Sequence, residues 1–258
     1  MGRSVANLLN YPVMIFVVTF FLLWIAAWVG GLLHERRRKL LDEGARSDFG
    51  VVQAASLTLL GLIIGFSFSM ATGRYDLRKG YEESEANAIG TEYVRTDLLL
   101  PDEASQVRAL LRQYTDLRIQ FYRTRDANDL QQIDRQTADL QRRLWAGVAQ
   151  TANAQPTPVR ALAVAGMNDV LNSEGYTQAA WWNRIPVAAW ALMFGIALFC
   201  NGLLGFGARR MEARLFMVLP LVVAISFFLI ADIDSPRGGV IRVHPQNLVS
   251  LRAGLGAE

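Results

Sequence analysis

The sequence predicts an all-α integral membrane protein: four transmembrane helices, two on either side of a helical extramembrane domain. The apolar runs 13–33, 51–71, 186–207 and 215–231 contain no Asp, Glu, Lys, Arg or His. Crossing the hydrocarbon core takes roughly 20 apolar residues at helical rise, and every backbone amide must be satisfied within its own segment. All four runs meet or approach that length. The polar stretch between the second and third runs shows helical spacing, with no convincing strand, Gly-rich phosphate loop or solenoid repeat. The domain division that follows is 1–73 for a first transmembrane hairpin, 74–184 for the helical domain, 185–231 for a second hairpin and 232–258 for a polar motif and tail.

Composition narrows the function classes. About a third of the 258 residues lie in the four runs, so no large water-soluble α/β core can also be built. A formal net charge of +3 argues against a nucleic-acid partner. The single cysteine, Cys200, lies in the third run, which rules out intrachain disulfides and cysteine zinc sites. His34 and His244 have no cysteine or carboxylate at ligand or triad spacing, so no metal site and no cofactor is expected. An intramembrane enzyme is the least favoured class, because Cys200 or Ser67 would stand without a base.

The elements follow in chain order. Tyr11 and Pro12 open the first span, as an interfacial aromatic and a first-turn proline. The run is longer than the roughly 7–15 residues of a signal-peptide core and is followed by His34-Glu35-Arg36-Arg37-Arg38-Lys39, so it reads as a retained span. In the second span Gly61, Gly65, Ser69 and Gly73 stand four apart, a stripe that lets a neighbouring backbone approach closely. Leu60, Ile64 and Phe68 form an adjacent stripe. Helix packing or lipid contact is the ordinary use of both.

No breaker follows the second span, so its helix should continue past Arg74 and Arg78 until Pro101 stops it. On that continuation Tyr75, Ile89 and Tyr93 share one side, and Arg78, Glu82, Glu85 and Glu92 share another. Arg78 and Glu82 can pair across one turn. Val107, Leu110, Tyr114, Leu117 and Phe121 mark the seam of the next helix. Leu130, Ile133, Thr137, Leu140, Leu144 and Val148 mark that of its partner, and the two should pack as a hairpin around a turn at 124–129. Coiled-coil assembly is the alternative. After Pro156 and Pro158 a further helix carries Leu162, Met167, Val170 and Leu171, and Trp181, Trp182 and Arg184 read as an interfacial belt.

Ionisable groups at depth would mark a proton relay or coupled transporter, and the spans hold none. A motor subunit driven by protons, suggested by the large helical loop alone, lacks those groups. At the membrane edge Asp232 and Asp234, with nearby carbonyls, could hold a hard cation such as Ca²⁺, although two carboxylates are too few alone. Ion pairs with Arg74, Arg78 or Arg237 are the favoured use.

The segments Gly65-Phe66-Ser67-Phe68-Ser69-Met70-Ala71, Arg74-Tyr75-Asp76, Glu85-Ala86-Asn87-Ala88-Ile89-Gly90-Thr91 and Asp232-Ile233-Asp234-Ser235-Pro236-Arg237 resemble the bestrophin-like family of bacterial membrane proteins. The resemblance spans nearly the whole chain. It implies a distant likeness to bestrophins, pentameric ion channels whose second helix lines the pore. Carried over, it makes Leu60, Ile64 and Phe68 the candidate pore neck, gated by a hydrophobic constriction. It also implies self-association as a pentamer, an inorganic ion as ligand and a bacterial inner membrane as location. Calcium control is not carried over, because only Asp232 and Asp234 stand where bestrophins have a longer acidic cluster.

Sidedness is divided. The two short links hold eight Lys and Arg and the opposite flanks also hold eight, so charge density places the short links in the cytoplasm, whereas the resemblance implies a cytosolic helical domain. The competing function is a non-conducting membrane scaffold or sensor whose helical domain binds a partner or ligand.

Overall fold

The computed structural model describes residues 11–37, 43–207 and 215–256, and every regular element among them is helical. The described residues form eight α-helices: α1 (Pro12–Arg37), α2 (Glu43–Arg95), α3 (Pro101–Arg123), α4 (Ala127–Ala154), α5 (Pro158–Trp182), α6 (Val187–Gly207), α7 (Leu215–Asp234) and α8 (Gln246–Gly254). Four of them are long and apolar enough to cross a membrane. The cationic links expected around Arg38, Lys39, Arg209, Arg210 and Arg214, together with Arg3, lie outside the described residues.

The chain divides into two compact units, one holding residues 1–74 and 184–242 and the other residues 75–183 and 243–258. The tail is therefore split: Asp232 to Arg242 belong to the membrane unit, and α8 joins the helical unit. Sequence pattern could not foresee this, because α8 is short and its fixing contacts come from residues far away in the chain.

In the membrane unit α1 packs on α6 and α7. Ile15, Thr19, Leu23 and Ala27 recur every four residues and are buried, as are Met193, Ala197 and Cys200 on α6 and Val223, Phe227 and Ile230 on α7. Phe227 is clasped edge-on by Phe194 and Trp190, with ring centroids 5.0 and 6.0 Å away. Glycine decides how closely α1 and α6 approach. A Cβ on Gly205 would stand 1.8 Å from the Ala27 carbonyl oxygen, and one on Gly30 would stand 2.1 Å from that of Gly202. Without a hydrophobic force between helices in lipid, such backbone contact is a main source of association.

In the helical unit α2 ends at Arg95, five residues before the Leu100 limit that the proline alone predicts, then passes through a 3₁₀ turn at Thr96–Leu98 and becomes extended at Leu99. Pro101 then serves as the first residue of α3, whose Glu103 accepts a hydrogen bond from the Leu100 amide at 3.3 Å. Asp126 caps α4 by accepting from the Asn128 and Asp129 amides, and Thr157 caps α5. On α4 the buried seam is Ile133, Thr137, Leu140, Leu144 and Val148, as the spacing predicts, with Leu130 only half-buried and Thr151 added at the far end. On α3 the buried face keeps Val107, Tyr114 and Phe121 of the predicted seam and takes in Leu111, Arg118 and Tyr122, while Leu110 and Leu117 are only half-buried.

Trp181 and Trp182 do not act as a pair. Trp181 is 5% exposed, with its ring against Phe121 and Tyr122 at 5.1 and 5.5 Å, whereas Trp182 is 75% exposed. The reason is helical phase: Trp181 continues the buried line Met167, Val170, Ser173 and Thr177, and Trp182 falls off it. The same phase leaves Leu162, expected on the seam, exposed.

Candidate functional site

Two parts of the membrane unit carry the residues singled out by sequence: the outer face of α2 and the end of α7. The apolar part of α2 is the least covered of the candidate spans, 6% buried against 28% for α1 and 50% for α7. Gly61, Gly65 and Gly73 have nothing within 4 Å of where a Cβ would stand. Among the described residues the glycines of the stripe expected to pack thus have no close neighbour and Ser69 is exposed, and the close helix approach is made by Gly30, Gly202 and Gly205 instead. Leu60 is 2% exposed, so its side chain is covered by its own unit, while Ile64 is half-buried and Phe68 is 43% exposed. The covered side of α2 carries Leu60, Ser67 and Ala71, and the Cys200 thiol donates to the Ser56 carbonyl oxygen at 3.3 Å.

At the end of α7 the polar motif folds back on itself. Asp232 accepts the Val240 and Ile241 amides, one on each carboxylate oxygen and both at 2.8 Å. Ser235 accepts the Gly238 amide. Gly239 is required here, because a Cβ would stand 2.3 Å from the Asp232 carbonyl oxygen. Asp234, also buried, accepts the Ile185 amide and stands 3.8 Å from Arg74 and 3.7 Å from Arg184. Burial pushes the Arg184 guanidinium below the usual arginine range, and Asp234 opposes that shift. The two carboxylates therefore tie the start of α6, the end of α7 and the following turn to Arg74 on α2.

Arg78 and Arg237 are the remaining members of this group. Arg237 is half-buried in the turn. Arg78, which belongs to the helical unit, is 1% exposed and donates to the Ala180 and Asn183 carbonyl oxygens at the C-terminus of α5. A cation there satisfies unpaired carbonyls and complements the helix dipole. Among the described residues no three His, Cys, Asp or Glu side chains are grouped to hold a metal. Asp232→Ala is expected to remove two charge-assisted bonds and lower stability in detergent by about 1.5–3 kcal/mol, with no change in any cation titration. A Ca²⁺-dependent melting shift that vanishes in the variant would contradict this.

The helical unit holds a polar cluster that spacing alone did not reveal. Glu85 on α2 is 0% exposed and accepts from Arg118 and Tyr122 on α3 and from Thr177 on α5, the last two at 3.3 and 3.2 Å. Glu174 lies 3.8 Å from Arg118, whose guanidinium carbon sits 4.4 Å from the centre of the Phe121 ring. Burial disfavours the Arg118 charge, yet Glu85, Tyr114 and Glu174 together outweigh it and hold the guanidinium above the usual arginine range. Burial also pushes the Tyr122 and Tyr114 hydroxyls up. One turn before Glu85, Glu82 caps α8 by accepting the Leu248 amide at 3.0 Å and the Asn247 side chain.

The bestrophin-like domain model matches residues 17–248 of the chain. No curated protein matches it. Crystal structures of variants of a bacterial bestrophin homologue from Klebsiella pneumoniae share the fold. One has a TM-score of 0.64 at 14% identity, covering 93% of this chain and 97% of that one. A second has a TM-score of 0.66 at 14% identity, covering 93% and 95%. With four apolar spans, a helical unit between the second and third, and a family match over nearly its whole length, the chain belongs to the bestrophin-like family.

Proposed function

We propose that the chain is a homo-oligomeric ion channel of a bacterial inner membrane in which α2 lines the pathway. The observation that carries this reading is the bareness of α2. Its apolar stretch is 6% buried, Gly61, Gly65 and Gly73 have no described residue within 4 Å of their Cβ positions, and Ser69 beside them is exposed. Small residues on an open helix face let a second backbone approach, which is how helices associate in lipid. Phe68 and Ile64 then form the apolar constriction, and Leu60, covered by its own unit, supports the wall from behind. The bacterial location rests on the bacterial homologue whose fold the chain shares. The number of subunits, five by the family resemblance, is part of the proposal.

Planar-bilayer recording with purified oligomer tests it directly. Ion currents are expected, and Phe68→Ala should raise the conductance or the open fraction several-fold. Silent membranes containing verified oligomers would sink the channel reading. Gly61→Leu together with Gly65→Leu should break the oligomer while leaving the melting of the single chain unchanged, because no described residue stands within 4 Å of either Cβ position. The competing reading, a non-conducting scaffold or sensor, is favoured by one feature: an open cleft of about 610 Å³ between α3 and α4, lined by Glu103, Gln106, Leu110, Arg143 and Gln150. A stable monomer in mild detergent would support it.

A further inference from the structure

Glu92 is the one acid of the α2 stripe whose partners are missing. It is 0% exposed, and among the described residues neither carboxylate oxygen has a hydrogen-bond partner. Its neighbours on the same stripe are differently placed: Glu82 accepts two nitrogens of α8, and Glu85 holds Arg118. There is no room for a bridging group on the α5 side, because a Cβ on Gly166 would stand 2.1 Å from Glu92 Oε2 and 2.4 Å from Arg95 Nη1. A bare carboxylate at this position would lose its hydration without replacement, a cost that a buried acid avoids by keeping its proton. Burial pushes the Glu92 carboxyl up to about 8, with Arg95 pulling it down and Asp169 on α5 pushing it up.

We propose that Glu92 is a proton-binding residue that couples pH to the packing of α5 on α2, the protonated acid closing the two helices at Gly166 and the carboxylate loosening them. The charged groups facing it are Arg95 from its own helix and Asp169 from α5. From α8, whose Leu251 packs at Gly90, the nearest cation in sequence is Arg252, which is engaged by Asp116 at 2.8 Å. The sign follows from linkage. The packed arrangement binds the proton more tightly than the loosened one, so packing is complete below the ordinary carboxylate range. It weakens as pH rises from there to about 8 and changes no further above that value.

Hydrogen exchange of the α5 segment in the full-length protein in detergent, expressed as protection relative to the free peptide, reads this directly. Wild-type protection should fall about tenfold per pH unit between pH 5.5 and 7.5. Glu92→Gln, which cannot ionise, should hold the same protection at each pH. Asp169→Asn, an exposed position, should shift the point at which the fall levels off to lower pH. Equal slopes in wild type and Glu92→Gln would overturn the proposal. Should the Gln variant fail to fold, a flat wild-type profile or an Asp169→Asn profile that coincides with wild type would do so as well.

Discussion

Arg118→Ala is expected to destabilise the helical unit by about 3–5 kcal/mol, because it leaves a buried carboxylate without its cation. Glu85 would keep only Tyr122 and Thr177, two neutral donors. The packing of the guanidinium on the Phe121 ring would go with it. Joint replacement by Arg118→Met and Glu85→Leu should recover most of the loss, since an apolar pair of similar volume needs no desolvation of charge. Thermal unfolding followed by far-ultraviolet circular dichroism in detergent, arranged as a double-mutant cycle, measures this. A loss of less than about 1 kcal/mol for Arg118→Ala would mean that α2, α3 and α5 are not held by this cluster.

Gly205→Val is expected to undo the contact of α1 with α6. Even the Cβ of an alanine would stand 1.8 Å from the Ala27 carbonyl oxygen and 2.9 Å from the Gly31 amide nitrogen, both backbone atoms that cannot turn aside. The helices must separate, which removes the contact that membrane association depends on. Overpacking costs about 1–3 kcal/mol for one or two methylenes in a soluble core, and the rigid backbone here places Val at or above the top of that range. Gly195→Ala is the control, since nothing stands within 4 Å of its Cβ position. Reversible unfolding of the detergent-solubilised protein should show a large loss for the first and almost none for the second. Equal behaviour would contradict the observed crossing.

The helical stripe 78, 82, 85, 89, 92 shows what was legible and what was not. Its steps of four, three, four and three are those of a buried seam, and a reader of spacing alone would place all five residues inside. Four of them are charged, which suggests a solvated side instead, yet Arg78, Glu82, Glu85 and Glu92 are all within 1% of full burial. In the sequence these four read as a side apart from Ile89, with only the Arg78–Glu82 pair on offer, whereas burial of an acid is costly without a partner. The partners come from α3, α5 and α8, remote in sequence, and only packing reveals them.

Hydropathy by itself determined the four membrane helices and the all-α class, because lipid forces every span to satisfy its own backbone and so writes the requirement locally. Seam spacing likewise settled α4 from Ile133 to Val148. The end of α2, the burial of Trp181, the return of the tail to the helical unit and the duties of Asp232 and Asp234 were decided by the tertiary structure. Each depends on a contact between residues far apart in the chain, such as Ile185 with Asp234 or Leu248 with Glu82, and no local pattern encodes which distant atom a carboxylate will meet.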